Sequence, residues 1–153
     1  MKPHPIYRSG SVTRWHSNPD VPAQTLADHH GRVAQIVAFF WPDQPYLLYS
    51  ALHHDCGELM VGDVSSPAKE ANPRLKAVLE EAEAEARQEM GLKPFVTSFP
   101  MLRFADRLEA YCYVTMTRPD ILGQDEWVKA VADLWEMAHD LEVADKLSEW
   151  WGL

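Results

Sequence analysis

The chain has few positive charges and few cysteines, and both shortages exclude classes of protein. Its 153 residues include 14 lysines and arginines against 23 aspartates and glutamates, which gives a formal net charge of -9 at pH 7. Binding to a nucleic-acid polymer depends on clustered Lys and Arg that replace the counterions of the phosphates, so we expect no such partner. The two cysteines, Cys56 and Cys112, do not form a CxxC pair, and we expect reduced thiols without a disulfide.

Long apolar runs are also missing. The sequence contains no stretch of about 18 apolar residues, and its start, MKPHPIYRSG, lacks the apolar segment of a secretory signal. We therefore expect a cytoplasmic protein that does not bind a membrane. Hydrophobic residues make up 46% of the chain and charged residues 24%, an ordinary globular balance. A chain of this length can bury about 70% of its unfolded surface, which predicts one domain over residues 1–153.

The spacing of apolar residues predicts an all-α fold. Helices are predicted over about 25–40, 46–59, 72–91, 98–117 and 124–150. Asn72 and Pro73 are a typical N-cap and first helical residue, and the acidic face of the helix that follows is expected to lie in solvent. Residues 1–23 are expected to be irregular, and no run alternates strongly enough to predict a strand.

Ionisable residues occupy positions on these helices that should face the core. They are His29 on the first helix, His54, Asp55 and Glu58 on the second, in the stretch ALHHDCGELMVGD, and Asp106 on the fourth. A single inward histidine is more often a hydrogen-bonded core residue than a ligand. Burying an unpaired carboxylate costs several kcal/mol, however, so two aspartates and two histidines need a common compensator, and a divalent metal would serve. Such a nitrogen and oxygen set suits Mn, Fe, Co, Ni, Cu or Zn alike.

Four segments match a known family in order and approximate spacing. They are RW at 14–15, TLADH at 25–29, HHDCGELMVGDVSSPAK at 53–69 and RFAD at 103–106. The H…HD…D pattern resembles the HD-domain superfamily of metal-dependent phosphohydrolases, and the four segments resemble its bacterial 5'-deoxynucleotidases. The resemblance extends from about Arg14 to Tyr113, roughly two-thirds of the chain. It implies an HD-domain helical bundle of about five to six main helices.

The resemblance implies roles for individual residues. One divalent transition metal would be held by His29, His54, Asp55 and Asp106. Catalysis would involve Glu58, which would handle protons, and Asp63, which would lie near the sugar and the attacking water. The substrate would be bound by Arg14 at the phosphate, by Trp15, which would pack on the sugar and disfavour a 2'-hydroxyl, and by Lys69 near the phosphates. His30 and His53 are expected to be neighbours of the site or surface residues, and the pattern assigns no role to His16 and His139.

The implied reaction is hydrolysis of a 2'-deoxyribonucleoside 5'-monophosphate with release of phosphate. A bound divalent metal lowers the pKa of water and neutralises phosphoryl oxygens, which explains how an acidic protein could accept an anion. Two alternatives stay open: a deoxynucleoside triphosphate (dATP-type) triphosphohydrolase that releases triphosphate, as in similar small phage enzymes, and a catalytically silent nucleotide-binding HD protein. The resemblance also implies a homo-oligomer, a dimer or higher, although the chain is shorter at its C-terminal end than typical members.

Overall fold

The computed structural model describes residues 1–153 and confirms the all-α prediction. The elements in chain order are α1 Pro5–Ser9, β1 Thr13–Arg14, β2 Gln24–Thr25, α2 Leu26–Phe40, α3 Pro45–His53, α4 Glu58–Val61, α5 Ser66–Ala71, α6 Pro73–Glu89, α7 Pro100–Thr117, α8 Asp125–Asp140 and α9 Ala144–Trp151. A 3₁₀ turn, Pro119–Ile121, lies between α7 and α8. None of these helices is both long enough and apolar enough to cross a membrane.

The chain forms two compact units, and each is made of two segments. The first unit comprises residues 1–31 and 53–95, and the second comprises residues 32–52 and 96–153. The first unit therefore contains α1, the two strands, the first residues of α2 and α4 to α6. The second contains the rest of α2, most of α3 and α7 to α9. The prediction of one domain over residues 1–153 stays a prediction.

The second unit has a large apolar core to which every one of its α-helices contributes. Fully or almost fully buried members of this core include Val33, Val37, Phe40, Leu47, Leu108, Leu134 and Leu147. The spacing of three and four residues along α2 is the pattern from which this helix was predicted. Each such side chain contributes about 1.5–3 kcal/mol through removal from water.

The core of the first unit is small. Cys56, Ala86 and Met90 are buried together, and Ile6, Leu59 and Leu92 pack against them. Both cysteines are free thiols, as predicted.

The cap predicted for α6 is confirmed. Pro73 is the first helical residue, and Oδ1 of Asn72 accepts a hydrogen bond from the backbone N–H of Leu75 at 3.1 Å. The cap fixes the start of the longest helix in the first unit.

The predicted helix over 46–59 is wrong in its extent. It ends at His53, and residues 54–57 form a turn before α4 begins at Glu58. In this turn the N–H of Cys56 donates to the carbonyl of His53 and the N–H of Glu58 to that of Asp55. These hydrogen bonds span three residues and tighten the backbone relative to an α-helix, so His54 and Asp55 no longer continue the apolar face of α3.

The predicted helix over 124–150 is also interrupted. α8 ends at Asp140 and α9 begins at Ala144. Glu142, between them, has φ of 57°, a left-handed conformation that cannot continue an α-helix.

The N-terminal residues 1–23, which were predicted to be irregular, contain short elements. Residues 5–9 form α1, whose start is capped by the side chain of His4. Thr13 pairs with Thr25 and Arg14 with Gln24 in the antiparallel ladder of β1 and β2. α5 likewise forms in a region for which no helix was predicted.

Candidate metal and substrate site

Three of the predicted metal ligands lie together in the first unit. Nε2 of His29 is 3.3 Å from Nε2 of His54, and Oδ2 of Asp55 is 3.6 Å from the first and 3.2 Å from the second. His29 is completely buried and His54 is buried, while the side chain of Asp55 is partly exposed. The three donor atoms therefore form a small triangle with one side open to solvent.

The size of this triangle fits a transition-metal ion. Zinc binds imidazole nitrogen at about 2.1 Å, so two ligands at a tetrahedral angle lie about 3.4 Å apart. The three distances between donor atoms lie close to this value. Two imidazoles and one carboxylate are ligands typical of borderline divalent metals. His29, His54 and Asp55 could therefore hold one such ion.

The end of α3 at His53 explains how two consecutive residues contribute to one site. On an α-helix, neighbouring side chains diverge by about 100°. His54 and Asp55 lie instead in the turn that follows the helix, and both side chains approach His29 of α2. A helix break that the sequence pattern did not predict is therefore what allows the predicted ligands to meet.

Glu58 is a buried acid at the start of α4. Its side chain is almost completely buried, and its Oε2 has no hydrogen-bond partner. Burial, together with the negative charges of Asp55 and Asp63, raises the pKa of Glu58 to about 9. In the metal-free protein Glu58 is therefore protonated at neutral pH and can donate a proton.

Gln24 connects the two residues predicted to bind phosphate and sugar. Its Oε1 accepts hydrogen bonds from Nη1 of Arg14 and from Nε1 of Trp15, both at 3.4 Å. Its Nε2 donates to Oδ2 of Asp28 at 2.9 Å, and Gln24 itself is buried. The guanidinium of Arg14 also lies 5.9 Å from the centre of the Trp15 ring. Gln24 lies directly before the TLADH segment, and no pattern in the sequence singles it out.

Asp63 lies in the loop after α4, and Lys69 lies in α5, which follows that loop. Oδ2 of Asp63 is 3.6 Å from Nδ1 of His16, so a histidine without an assigned role neighbours a predicted catalytic acid. Nζ of Lys69, in α5, is 4.0 Å from Oε1 of Glu83. The positive charge of Lys69 opposes the rise in the pKa of Glu58 without cancelling it. Lys69 is therefore close enough to the candidate site to act on its charge.

Asp106, the fourth predicted ligand, belongs to the other unit. It is half-buried in the middle of α7. Its role as a metal ligand stays a prediction.

His30 is a third buried imidazole that the pattern did not assign. Its ring centre lies 4.9 Å from that of His54 and 5.7 Å from that of His29. Its side chain is buried, and its Nε2 has no hydrogen-bond partner. Burial and the neighbouring His54 lower the pKa of His30 to about 2, so this imidazole is neutral. Of the two sequence expectations, a neighbour of the site or a surface residue, the structure supports the first.

The sequence predicted that the acidic face of α6 would lie in solvent. This prediction is wrong for one residue of that face. Glu83 is buried, and its Oε2 lies 3.8 Å from Nη1 of Arg87, one turn later on the helix. Nη1 of Arg87 also donates a hydrogen bond to the backbone carbonyl of His54 at 2.9 Å. An acid and a base four residues apart are a common surface pair, so the sequence offered no signal that this one contacts the site.

Comparison with protein families identifies a match. The family model described as 5'-deoxynucleotidase YfbR-like matches residues 5–94, more than half of the chain. The match includes three of the four segments on which the resemblance rested, and it ends before Asp106. No curated protein matches the chain.

Proposed function

The chain belongs to the YfbR-like 5'-deoxynucleotidase family, and we propose on this basis that it is a metal-dependent phosphohydrolase. Its proposed reaction releases phosphate from 2'-deoxyribonucleoside 5'-monophosphates. The observation that carries the proposal is the triangle of donor atoms from His29, His54 and Asp55, with the buried Glu58 one turn further along the chain.

In the proposed site, His29, His54 and Asp55 hold one divalent ion, and Asp106 is the fourth ligand. A Co, Mn, Zn, Fe, Ni or Cu ion there would supply positive charge to the phosphoryl group and activate water. Burial of the two histidines keeps bulk water away from their nitrogens, which strengthens electrostatic interactions within the site.

Glu58 is the proposed proton donor. In the metal-free protein its pKa of about 9 favours the protonated carboxyl group at neutral pH, and in this form Glu58 could give its proton to the 5'-oxygen that leaves. Asp63, which is one cause of that high pKa, is the proposed second acid near the sugar and the attacking water.

Arg14, Trp15 and Lys69 are the proposed substrate-binding residues. A guanidinium offers two parallel N–H donors to a phosphate, which suits Arg14 to this role. The shared hydrogen-bond acceptor on Gln24 keeps Arg14 next to the Trp15 indole, so that phosphate and sugar could be bound side by side. Lys69 would add a second positive charge.

The proposal is tested by a phosphate-release panel on the purified protein. Deoxynucleoside monophosphates, ribonucleoside monophosphates and deoxynucleoside triphosphates are each supplied with Co, Mn, Mg or Zn, and the product is identified as phosphate, pyrophosphate or triphosphate. We expect phosphate from the deoxynucleoside monophosphates only. Release of triphosphate would replace the proposal with the triphosphohydrolase alternative. No turnover of any nucleotide, with no metal bound, would favour the catalytically silent alternative.

A further inference from the structure

We propose that Arg87, held in place by Glu83, is a positioning residue for the metal-ligand turn, residues 54–57. The inference rests on the proposed metal site, because it assigns a role to two residues that support the ligands without touching the ion. Neither residue belongs to the segments on which the family resemblance rested.

The contact between Arg87 and the turn involves the peptide that links two proposed ligands. Nη1 of Arg87 donates to the carbonyl oxygen of His54 at 2.9 Å. That carbonyl belongs to the peptide unit between His54 and Asp55, and a peptide unit is planar. This plane contains the Cα atoms of both residues, from which the ligand side chains leave. A fixed carbonyl direction therefore restricts the orientation of both side chains.

Arg87 is itself held from two further sides. Oε2 of Glu83 lies 3.8 Å from its Nη1, and the ring centre of Phe95 lies 5.6 Å from its Cζ. The side chains of Arg87 and Glu83 are 13% and 11% exposed, so solvent competes little for these contacts. A planar guanidinium fixed in this way loses little further conformational freedom when it binds the carbonyl.

The other end of the turn is in direct contact with the backbone of the same helix. A Cβ atom on Gly57 would lie 2.5 Å from the carbonyl oxygen of Glu83 and 2.7 Å from its Cα. Only glycine permits this approach. α6 thus contacts the turn at its start, through Arg87, and at its end, through the backbone of Glu83. Residues that orient metal ligands typically change metal affinity about 10- to 100-fold when they are replaced.

The first test is a cobalt titration of the metal-free protein, in which binding is measured by the visible absorption of bound Co²⁺. Arg87→Met keeps the aliphatic stem but removes every donor, and we expect its dissociation constant for Co²⁺ to rise at least about 10-fold. Arg87→Lys keeps the positive charge and N–H donors on a single nitrogen, and it should recover part of the loss. The matched control is Arg74→Met, at an exposed position on α6, and it should bind like the wild type. Wild-type affinity in Arg87→Met would overturn the inference.

A second test does not depend on metal. The amides of Cys56 and Glu58 are hydrogen-bonded within the turn, so their hydrogen exchange reports its opening. In metal-free protein we expect faster exchange in Arg87→Met than in Arg74→Met, and equal exchange would overturn the inference. If the wild type fails to bind Co²⁺, the proposed function fails while exchange still tests the role of Arg87. If Arg87→Met does not fold, Glu83→Gln decides by the same two measurements, and wild-type behaviour there would overturn the inference.

Discussion

The two units of the protein differ in what they bury. The second unit buries a continuous set of aliphatic and aromatic side chains, and its buried polar residues are Ser50 and Glu109. The first unit has a small apolar cluster, and it buries Ser9, Gln24, His29, His30, His54, Glu58 and Glu83. A buried polar group without a good partner costs free energy, whereas a buried aliphatic group gains it. The comparison indicates that most of the apolar contribution to stability comes from the second unit, whereas the first unit buries most of the polar groups, including three residues of the proposed site.

The largest effect is expected from a ligand in the first unit. Asp55→Ala should abolish metal binding and lower kcat/KM on the order of 1,000-fold, because several kcal/mol of charge stabilisation in the transition state are lost. Thermal unfolding of the metal-free variant should change little. Asp43→Ala, at an exposed position, is the control. Retention of stoichiometric metal by Asp55→Ala would contradict the proposed site.

The next effect is expected in the core of the second unit. Leu134 is 2% exposed, so Leu134→Ala should lower the free energy of unfolding by about 2–5 kcal/mol through lost burial and the cavity left behind. Leu52 is 42% exposed, and Leu52→Ala should cost less than about 1 kcal/mol. Urea unfolding measures both. The folded Leu134→Ala protein should bind Co²⁺ like the wild type. A loss of Co²⁺ affinity in this variant would contradict the separation between the stabilising core of the second unit and the metal ligands of the first.

A smaller effect is expected where α6 touches the ligand turn. Gly57→Ala places a methyl group against the backbone of Glu83, and the displacement should cost about 1–3 kcal/mol and weaken Co²⁺ binding. Gly123 has open space around it, so Gly123→Ala is the matched control. Urea unfolding and cobalt titration measure the two consequences. A Gly57→Ala protein as stable as the control would show that the turn and α6 can separate easily.

A separate effect is expected in the pH dependence of stability. Glu58 titrates near 4.5 when unfolded and near 9 in the folded, metal-free protein, so the folded state binds more protons between these values. The contribution of Glu58 to stability is therefore complete below about pH 4.5 and is lost as the pH rises toward 9. Glu58→Gln should flatten the fall of the melting temperature over this range. Glu85→Gln, at an exposed position, should leave it unchanged.

The sequence predicted the parts of the fold that depend on local spacing. His29 lies in the apolar stripe of α2, whose period alone predicts that it is buried, and it is completely buried. The cap at Asn72 is likewise a property of neighbouring residues. The extent of α3 was wrong because the turn after His53 is in contact with α6, and the sequence between them gives no sign of that approach.

The parts of the site that the sequence missed depend on contacts between distant segments. Gln24 and Arg87 are ordinary polar residues in the sequence, and their importance comes from the atoms that they meet, in Arg14 and Trp15 for the first and His54 for the second. The role of Asp106, a cytoplasmic location and a homo-oligomeric state stay predictions.

The backbone conformation of Trp15 affects which residues fit at this position. Its φ of 65° lies in the left-handed region, where a bulky residue costs on the order of 1 kcal/mol and glycine costs nothing. A glycine here would make the loop easier to form, yet it would remove the indole that pairs with Arg14. Trp15 therefore combines a left-handed backbone conformation with an aromatic surface beside Arg14.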